Sequence, residues 1–256
     1  MDGKPRIVFD DAAREVTVTV QARYDLMFMG MLGIKDPSIS ATSVSNFGVE
    51  SVPPFSIAFV FDVSGSMGWA TSDGEIRIEV LKKATKDLFD TLKKEAERPD
   101  LMDAAMSTSF SSYNTVVVDA KADQPGNDHV LKAVKDMEPG GGTNSTPALQ
   151  TAYDQLSSVK ALQGPDWTGF VVFMTDGNNN QSQWDADTLA ICDDLKADNM
   201  QIFTVAFEAP ANGRNLLRQC ATDRRHYFDA SNALKMRRAF RTIANELGER
   251  VVRVKR

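Results

Sequence analysis

The run Phe55-Ser56-Ile57-Ala58-Phe59-Val60-Phe61 is nearly all apolar, aromatic or β-branched, is too short for a helix, and stops at an acid, Asp62. A strand of this kind has to be covered on both faces, which restricts the fold to layered arrangements of helices and a buried sheet. Comparable runs recur at Phe170 to Met174 and Gln201 to Phe207. Helical spacing separates them. Ile76, Val80, Leu81, Ala84, Leu88 and Leu92 mark a helix over 76–96, ended by Pro99. Further helices fit 128–137, 146–159 (opened by Thr146 as cap and Pro147) and 186–197, with a short one over 214–220. A weak strand at 226–229 leads to a last helix capped by Ser231 and ended by Gly248. Residues 102–110 and 114–118 read as a hairpin turning at Ser111-Ser112-Tyr113. Strands alternating with helices predict an α/β fold: a doubly wound, mostly parallel sheet.

The first 54 residues differ. Glu15 to Ala22 alternates at period two, Ser38 to Val44 is polar and β-rich, and no helical pattern lies between them. Arg250 to Val254 also reads as a strand. The expected organisation is therefore a small antiparallel β module over 1–54, with 249–256 contributing a strand, around an α/β domain over 55–248. The run Leu26-Met27-Phe28-Met29-Gly30-Met31-Leu32 is expected to be buried where the two meet, with a pilus- or membrane-contacting surface as the alternative.

A net charge of −6 argues against nucleic acid, whose phosphates need a concentrated basic face. No apolar run approaches the roughly 20 residues that cross a bilayer, and no signal peptide precedes the first strand-like pattern. The two cysteines, Cys192 and Cys220, read by composition as free buried thiols.

The chemistry lies at the strand exits, where α/β sheets bind ligands. Asp62, Ser64 and Ser66 follow the first buried strand in steps of two. Gly140-Gly141-Gly142-Thr143-Asn144 precedes the helix from Thr146, and Thr175-Asp176-Gly177 follows the strand ending at Met174. Two carboxylates and three hydroxyls, without His or Cys, suit a hard cation: Mg²⁺ first, with Ca²⁺ or Mn²⁺ as alternatives. Such a site would keep a coordination position for solvent or for a carboxylate supplied by a partner protein.

Asp62-Val63-Ser64-Gly65-Ser66-Met67, Gly141-Gly142-Thr143 and Thr175-Asp176-Gly177 together resemble the metal-ion-dependent adhesion site of von Willebrand factor A domains, over roughly residues 55 to 247. Each segment alone is a weak signal; all three in order are specific. The resemblance implies a six-stranded sheet with one antiparallel edge strand, and assigns Asp62, Ser64, Ser66, Thr143 and Asp176 as direct or water-mediated ligands. The segments 192–197, 201–207 and 217–221, with the ending His226-Tyr227-Phe228-Asp229-Ala230, are similar to TadG-like proteins of Tad/Flp pilus-assembly systems. That second resemblance implies a Cys192–Cys220 disulfide, an N-terminal membrane anchor that this sequence does not carry, and a periplasmic or extracellular location. A bridge between helices flanking one strand would close a loop of about 29 residues and contribute about 3–4 kcal/mol.

Trp69, Trp184 and Asn178 are candidates for a partner-binding rim around the metal, the alternative being that they cover or extend loop backbone. The run Asn178 to Gln181 otherwise reads as solvated loop, and His129 and His226 as structural. The expected function is a non-enzymatic, metal-dependent protein-binding module of a Tad/Flp pilus or secretion apparatus. The alternative is a cytosolic A-domain adaptor serving an AAA-type ATPase. A metal-dependent hydrolase would need a base beside the metal, and the motif loops offer none.

Overall fold

The computed structural model describes residues 5–10, 15–23, 38–46, 52–95 and 99–253. The chain divides into two compact units, Met1–Ser51 and Val52–Arg256.

The first unit is a three-stranded antiparallel sheet of β1 (Arg6–Asp10), β2 (Glu15–Arg23) and β3 (Ser38–Asn46), with β2 in the middle. Its register pairs Ile7 with Val18 and Phe9 with Val16. Those residues share a face because side chains in a strand alternate. The apolar run 26–32 lies outside the described residues.

The second unit carries a six-stranded sheet of order β6-β5-β4-β7-β8-β9. These are β4 (Phe55–Asp62), β5 (Met106–Tyr113), β6 (Val117–Pro125), β7 (Thr168–Thr175), β8 (Gln201–Phe207) and β9 (Tyr227–Ala230). Every neighbouring pair is parallel except β5–β6, which makes β6 the antiparallel edge. The helices are α1 (Arg77–Glu95), α2 (Pro99–Ala105), α3 (Asp128–Lys135), α4 (Thr146–Gln163), α5 (Ser182–Ala197), α6 (Ala211–Cys220) and α7 (Ala233–Arg253). Every residue of β4 is buried. Phe55, Ile57, Phe59 and Phe61 enter the core shared with α1 and α7, and Ala58 and Val60 enter the one shared with α4, α5 and α6. The near-continuous apolar run thus serves two cores, the expected doubly wound arrangement.

Five sequence expectations are corrected. Residues 250–253 continue α7 instead of forming a strand, and Gly248 lies inside that helix with Leu92 Cδ1 3.8 Å from where its Cβ would stand. Packing on α1 carries the helix past a residue that often ends one. The cap of α7 is Asn232, whose Oδ1 accepts the Lys235 N–H at 2.9 Å, rather than Ser231. Ser145, not Thr146, is the N-cap of α4. The hairpin exists, but residues 102–105 belong to α2 and the turn lies at 114–116, where Asn114 Oδ1 accepts the Val116 N–H. The polar Ser111-Ser112-Tyr113 is the buried end of β5: Ser111 Oγ donates to the Ala148 carbonyl of α4 at 3.0 Å. A serine that finds a main-chain acceptor beneath a helix satisfies a central strand as well as an alkyl group does.

The predicted disulfide is present. Cys192 of α5 and Cys220 of α6 are bonded and fully buried, with Cα atoms 5.2 Å apart.

Candidate metal centre

The sheet's carboxyl edge gathers three loops. The first leaves β4 at Asp62 and turns through a 3₁₀ helix over Gly65–Gly68. The second is the glycine loop 140–144 before α4, and the third leaves β7 at Thr175. Backbone hydrogen bonds clasp the first two together, Gly65 N–H to the Gly141 carbonyl at 3.1 Å and Gly140 N–H to the Val63 carbonyl at 2.8 Å. Gly141 has φ +78°, a conformation that side-chain-bearing residues rarely adopt, and Asn114 occupies the space where its Cβ would stand.

Asp62 is wholly buried. Its Oδ1 accepts the Ser64 N–H at 2.7 Å and its Oδ2 accepts the Thr175 hydroxyl. The Ser64 and Ser66 hydroxyls lie 3.2 Å apart, and Ser66 Oγ donates to Asp176 Oδ1 at 2.8 Å. The third segment thereby joins the first. Thr143 is buried, and its Oγ1 and Ser66 Oγ lie 3.6 and 4.0 Å from where a Cβ on Gly177 would stand. All five predicted ligand residues are therefore brought to one place.

Burial, and then the negative charge of Asp176, push the Asp62 carboxyl up to about 7, against the pull of its Thr175 and Ser64 hydrogen bonds. Burial likewise raises Asp176, while Arg77 and Ser66 oppose it. Two acids raised by burial, one of them further raised by the charge of the other, form a place where a cation would be strongly held. Among the described residues no group of three or more His, Cys, Asp or Glu could hold a metal. A cation here would rest on two carboxylates and the hydroxyls of Ser64, Ser66 and Thr143. That all-oxygen set, with the Thr143 and Ser66 hydroxyls facing the side-chain-free Gly177, fits a hard divalent ion such as Mg²⁺.

Several residues that spacing does not mark hold the loops in place. The asparagine run read as solvated loop is a latch. Asn178 Oδ1 accepts the Gly213 N–H of α6 at 2.6 Å, Asn179 Oδ1 accepts the Ser145 N–H at 2.8 Å, and Asn180 Oδ1 accepts the Thr143 N–H. Arg77, the first residue of α1, donates from Nη1 to Asp176 Oδ2 at 2.7 Å and from Nη2 to Glu208 Oε2 at 3.0 Å. Glu208 follows β8 directly, as Asp62 ends β4 and Asp176 follows β7. An acid at a strand exit was the available signal for it. Burial raises Glu208, but its hydrogen bonds from Ser72 and the charge of Arg77 leave it below the usual carboxylate range.

Of the three rim candidates, Trp69 is 64% exposed, with Arg77 Cζ 5.9 Å from its ring centroid. Trp184 is half-buried in the first turn of α5, its carbonyl accepting the Thr146 hydroxyl at 3.1 Å. Asn178 is half-buried and its amide oxygen is turned to α6. His129 Nε2 lies 2.7 Å from the Thr108 carbonyl, and buried His226 sits 2.8 Å from Asp223 and edge-on to Phe203. Both belong to framework contacts, as expected.

Gly213 tests how tightly this edge is built. A Cβ there would come 2.2 Å from the Gly177 carbonyl oxygen, a backbone atom that cannot rotate away. Gly213→Ala is expected to cost about 1–3 kcal/mol and to weaken Mg²⁺ binding by displacing the Asp176 loop. Gly140→Ala, where nothing lies within 4 Å, is the neutral control. Denaturant melts and metal titration of both variants check this; equal behaviour would show that the loop yields freely.

A search of curated protein sequences finds no match to this chain. Among solved structures it is similar to the PilB minor pilin from Streptococcus sanguinis, at 14% identity over 100% of this chain and 80% of that one, TM-score 0.66. It is also similar to the vWF domain of the type V pili tip protein Mfa5 from Porphyromonas gingivalis, at 12% identity over 80% of this chain and 98% of that one, TM-score 0.64. A third is proximal thread matrix protein 1 from the mussel byssus, at 17% identity over 77% and 46%, TM-score 0.56. At these identities the likeness speaks to the fold alone. The sequence model of the von Willebrand factor type A domain matches residues 56–242, most of the second unit with all three loops. The chain therefore belongs to the von Willebrand factor type A domain family.

Proposed function

We propose that this chain is a non-enzymatic, metal-dependent protein-binding module of a pilus or secretion apparatus, working outside the cytosol. The observation that carries the reading is the convergence of Asp62, Ser64, Ser66, Thr143 and Asp176 from three loops at the carboxyl edge of the sheet. These residues would hold a divalent ion, Mg²⁺ by the hardness of the donors. When bound, the ion would supply a positive centre for a carboxylate of the partner. The chain's own groups would do the orienting. Ser64 N–H and the Thr175 hydroxyl fix the Asp62 carboxylate, Ser66 steadies Asp176, and Asn180 steadies Thr143. Trp69, exposed beside the first loop, offers the partner an apolar face.

The buried Cys192–Cys220 bridge favours an oxidising compartment, and so this reading over a cytosolic adaptor for an AAA-type ATPase. Among the described residues no helix is long and apolar enough to cross a membrane. Pilus-associated proteins among the similar structures point the same way, and a Tad/Flp system is the specific apparatus we favour.

The test has two stages. Calorimetric titration should show Mg²⁺ binding to the whole chain and none to Asp62→Ala. A pull-down from the native envelope should then recover partners with Mg²⁺ that are lost with EDTA or with Asp62→Ala. Recovery of the same partners under all three conditions would remove the metal from the binding function.

A further inference from the structure

Arg77 is an unusual neighbour for a cation site. Its guanidinium is shared between two acids: Nη1 lies on Asp176 Oδ2 at 2.7 Å, while Nη2 and Nε lie on Glu208 Oε2 at 3.0 and 3.3 Å. The Arg77, Asp176 and Glu208 side chains are 14%, 0% and 12% exposed, so solvent screens them little. The far oxygen of Glu208 accepts both the N–H and the hydroxyl of Ser72, each at 2.8 Å. Glu208 also sits at φ +49°, an uncommon conformation for a residue with a side chain, and its N–H donates to the Ala230 carbonyl at 2.9 Å. The local backbone is thus held so that this carboxylate meets the guanidinium.

A divalent ion drawn to Asp176 would meet a positive charge already seated on that carboxylate, in a half-dry setting where like charges repel strongly. Glu208 pulls the same guanidinium the other way. We propose that Arg77 is a resident counter-cation that competes with the divalent ion for Asp176, and that Glu208 sets how strongly it competes. This rests on the metal-binding reading above. Ion entry draws Asp176 away from Arg77 and leaves the guanidinium to Glu208. Because Glu208 holds Ser72 and Arg77 lies by the Trp69 ring, occupancy is transmitted into the loop over 69–76, the exposed neighbour of the site.

The experiment is calorimetric titration of Mg²⁺ into the whole chain and two variants, with fluorescence followed in parallel. Arg77→Gln keeps hydrogen-bonding capacity without the charge and is expected to bind Mg²⁺ about tenfold more tightly, the scale on which one adjacent charge moves a carboxylate's equilibria. Glu208→Gln leaves Arg77 to Asp176 alone and is expected to bind about tenfold more weakly. A residue serving only to hold the fold would weaken binding in both variants. Mg²⁺ should also change the tryptophan emission of the wild-type chain, and Trp69→Phe should remove most of that change. Wild-type binding with variants unchanged, or shifted in one direction, overturns the counter-cation alone. A wild-type chain that binds no Mg²⁺ overturns it together with the metal reading. If circular dichroism shows Glu208→Gln unfolded, Arg77→Gln decides by itself: no tightening overturns the inference.

Discussion

In EDTA, the stability of this chain is expected to fall as pH rises from 5 to 8, by about 3 kcal/mol, and Mg²⁺ is expected to restore it at the upper end. The Asp62 carboxyl stands near 7 in the folded chain, against 3.8 for an ordinary aspartate. Below both values it is protonated in the folded and unfolded states alike, and its stability contribution is fully present. Between them the unfolded chain has released the proton and the folded chain still holds it, so each step upward in pH favours unfolding. The loss is complete above the folded value. Asp176, also raised by burial, acts in the same direction. A divalent ion would bind the ionised carboxylates, and so would oppose the loss at the upper end of the range, where the folded carboxyl gives up its proton. Melting scans at pH 5, 6, 7 and 8, with EDTA and with Mg²⁺, measure both effects. A change of about 3 kcal/mol corresponds to a melting shift of roughly 10 °C for a domain of this size. Asp62→Asn carries no buried charge and should flatten the slope as well as abolish the response to Mg²⁺. A wild-type melting point in EDTA that is flat between pH 5 and 8 would count against the buried-acid account.

Removal of the disulfide is the second large effect. Cys192 and Cys220 are separated by 28 residues and lie fully buried between α5, α6 and β8. Closing a loop of that length restricts the unfolded chain by about 3–4 kcal/mol. Cys192→Ala with Cys220→Ala is therefore expected to lower the melting temperature by roughly 10 °C. Because α6 presses Gly213 on the Asp176 loop, Mg²⁺ affinity should also weaken in the double variant, though less than in Asp62→Ala. Thiol titration of the denatured, unreduced chain should find no free thiol. Two free thiols, or an unchanged melting point, would remove the bridge from the stability of this domain.

Much of the architecture was legible from residue pattern because buried strands and amphipathic helices leave periodic marks. Phe55 to Phe61 and Gln201 to Phe207 are strands at nearly the predicted bounds, and the helix expected over 76–96 runs over Arg77–Glu95. Patterns failed where packing overrode local preference. Ser111 to Tyr113 has the composition of a turn, yet α4 supplies an acceptor for Ser111 and the strand continues. Residues 250–253 have the composition of a strand, yet they extend α7. Gly248 would end an isolated helix, but a helix already docked on α1 tolerates it at a modest cost.

The candidate site divides along the same line. Each of the three oxygen-bearing segments is short and contiguous and lies at a strand exit or a helix entry, so Asp62, Ser64, Ser66, Thr143 and Asp176 could be named from sequence. The same residues and spacing made the family resemblance visible. Charge balance and loop position are different in kind, because they depend on which distant residues the fold brings alongside. Arg77 and Glu208 are 131 positions apart, and Asn178 meets Gly213 across 35. No local pattern records such pairs. The sequence alone determined the layered α/β fold and the donors that could hold a metal, since both follow from periodicity and residue chemistry. Only the tertiary structure decided what surrounds those donors: a guanidinium on Asp176, an asparagine latch from the third loop to the second and to α6, and a glycine contact that leaves no room for a methyl group. Those features arise from close packing between segments remote in the chain.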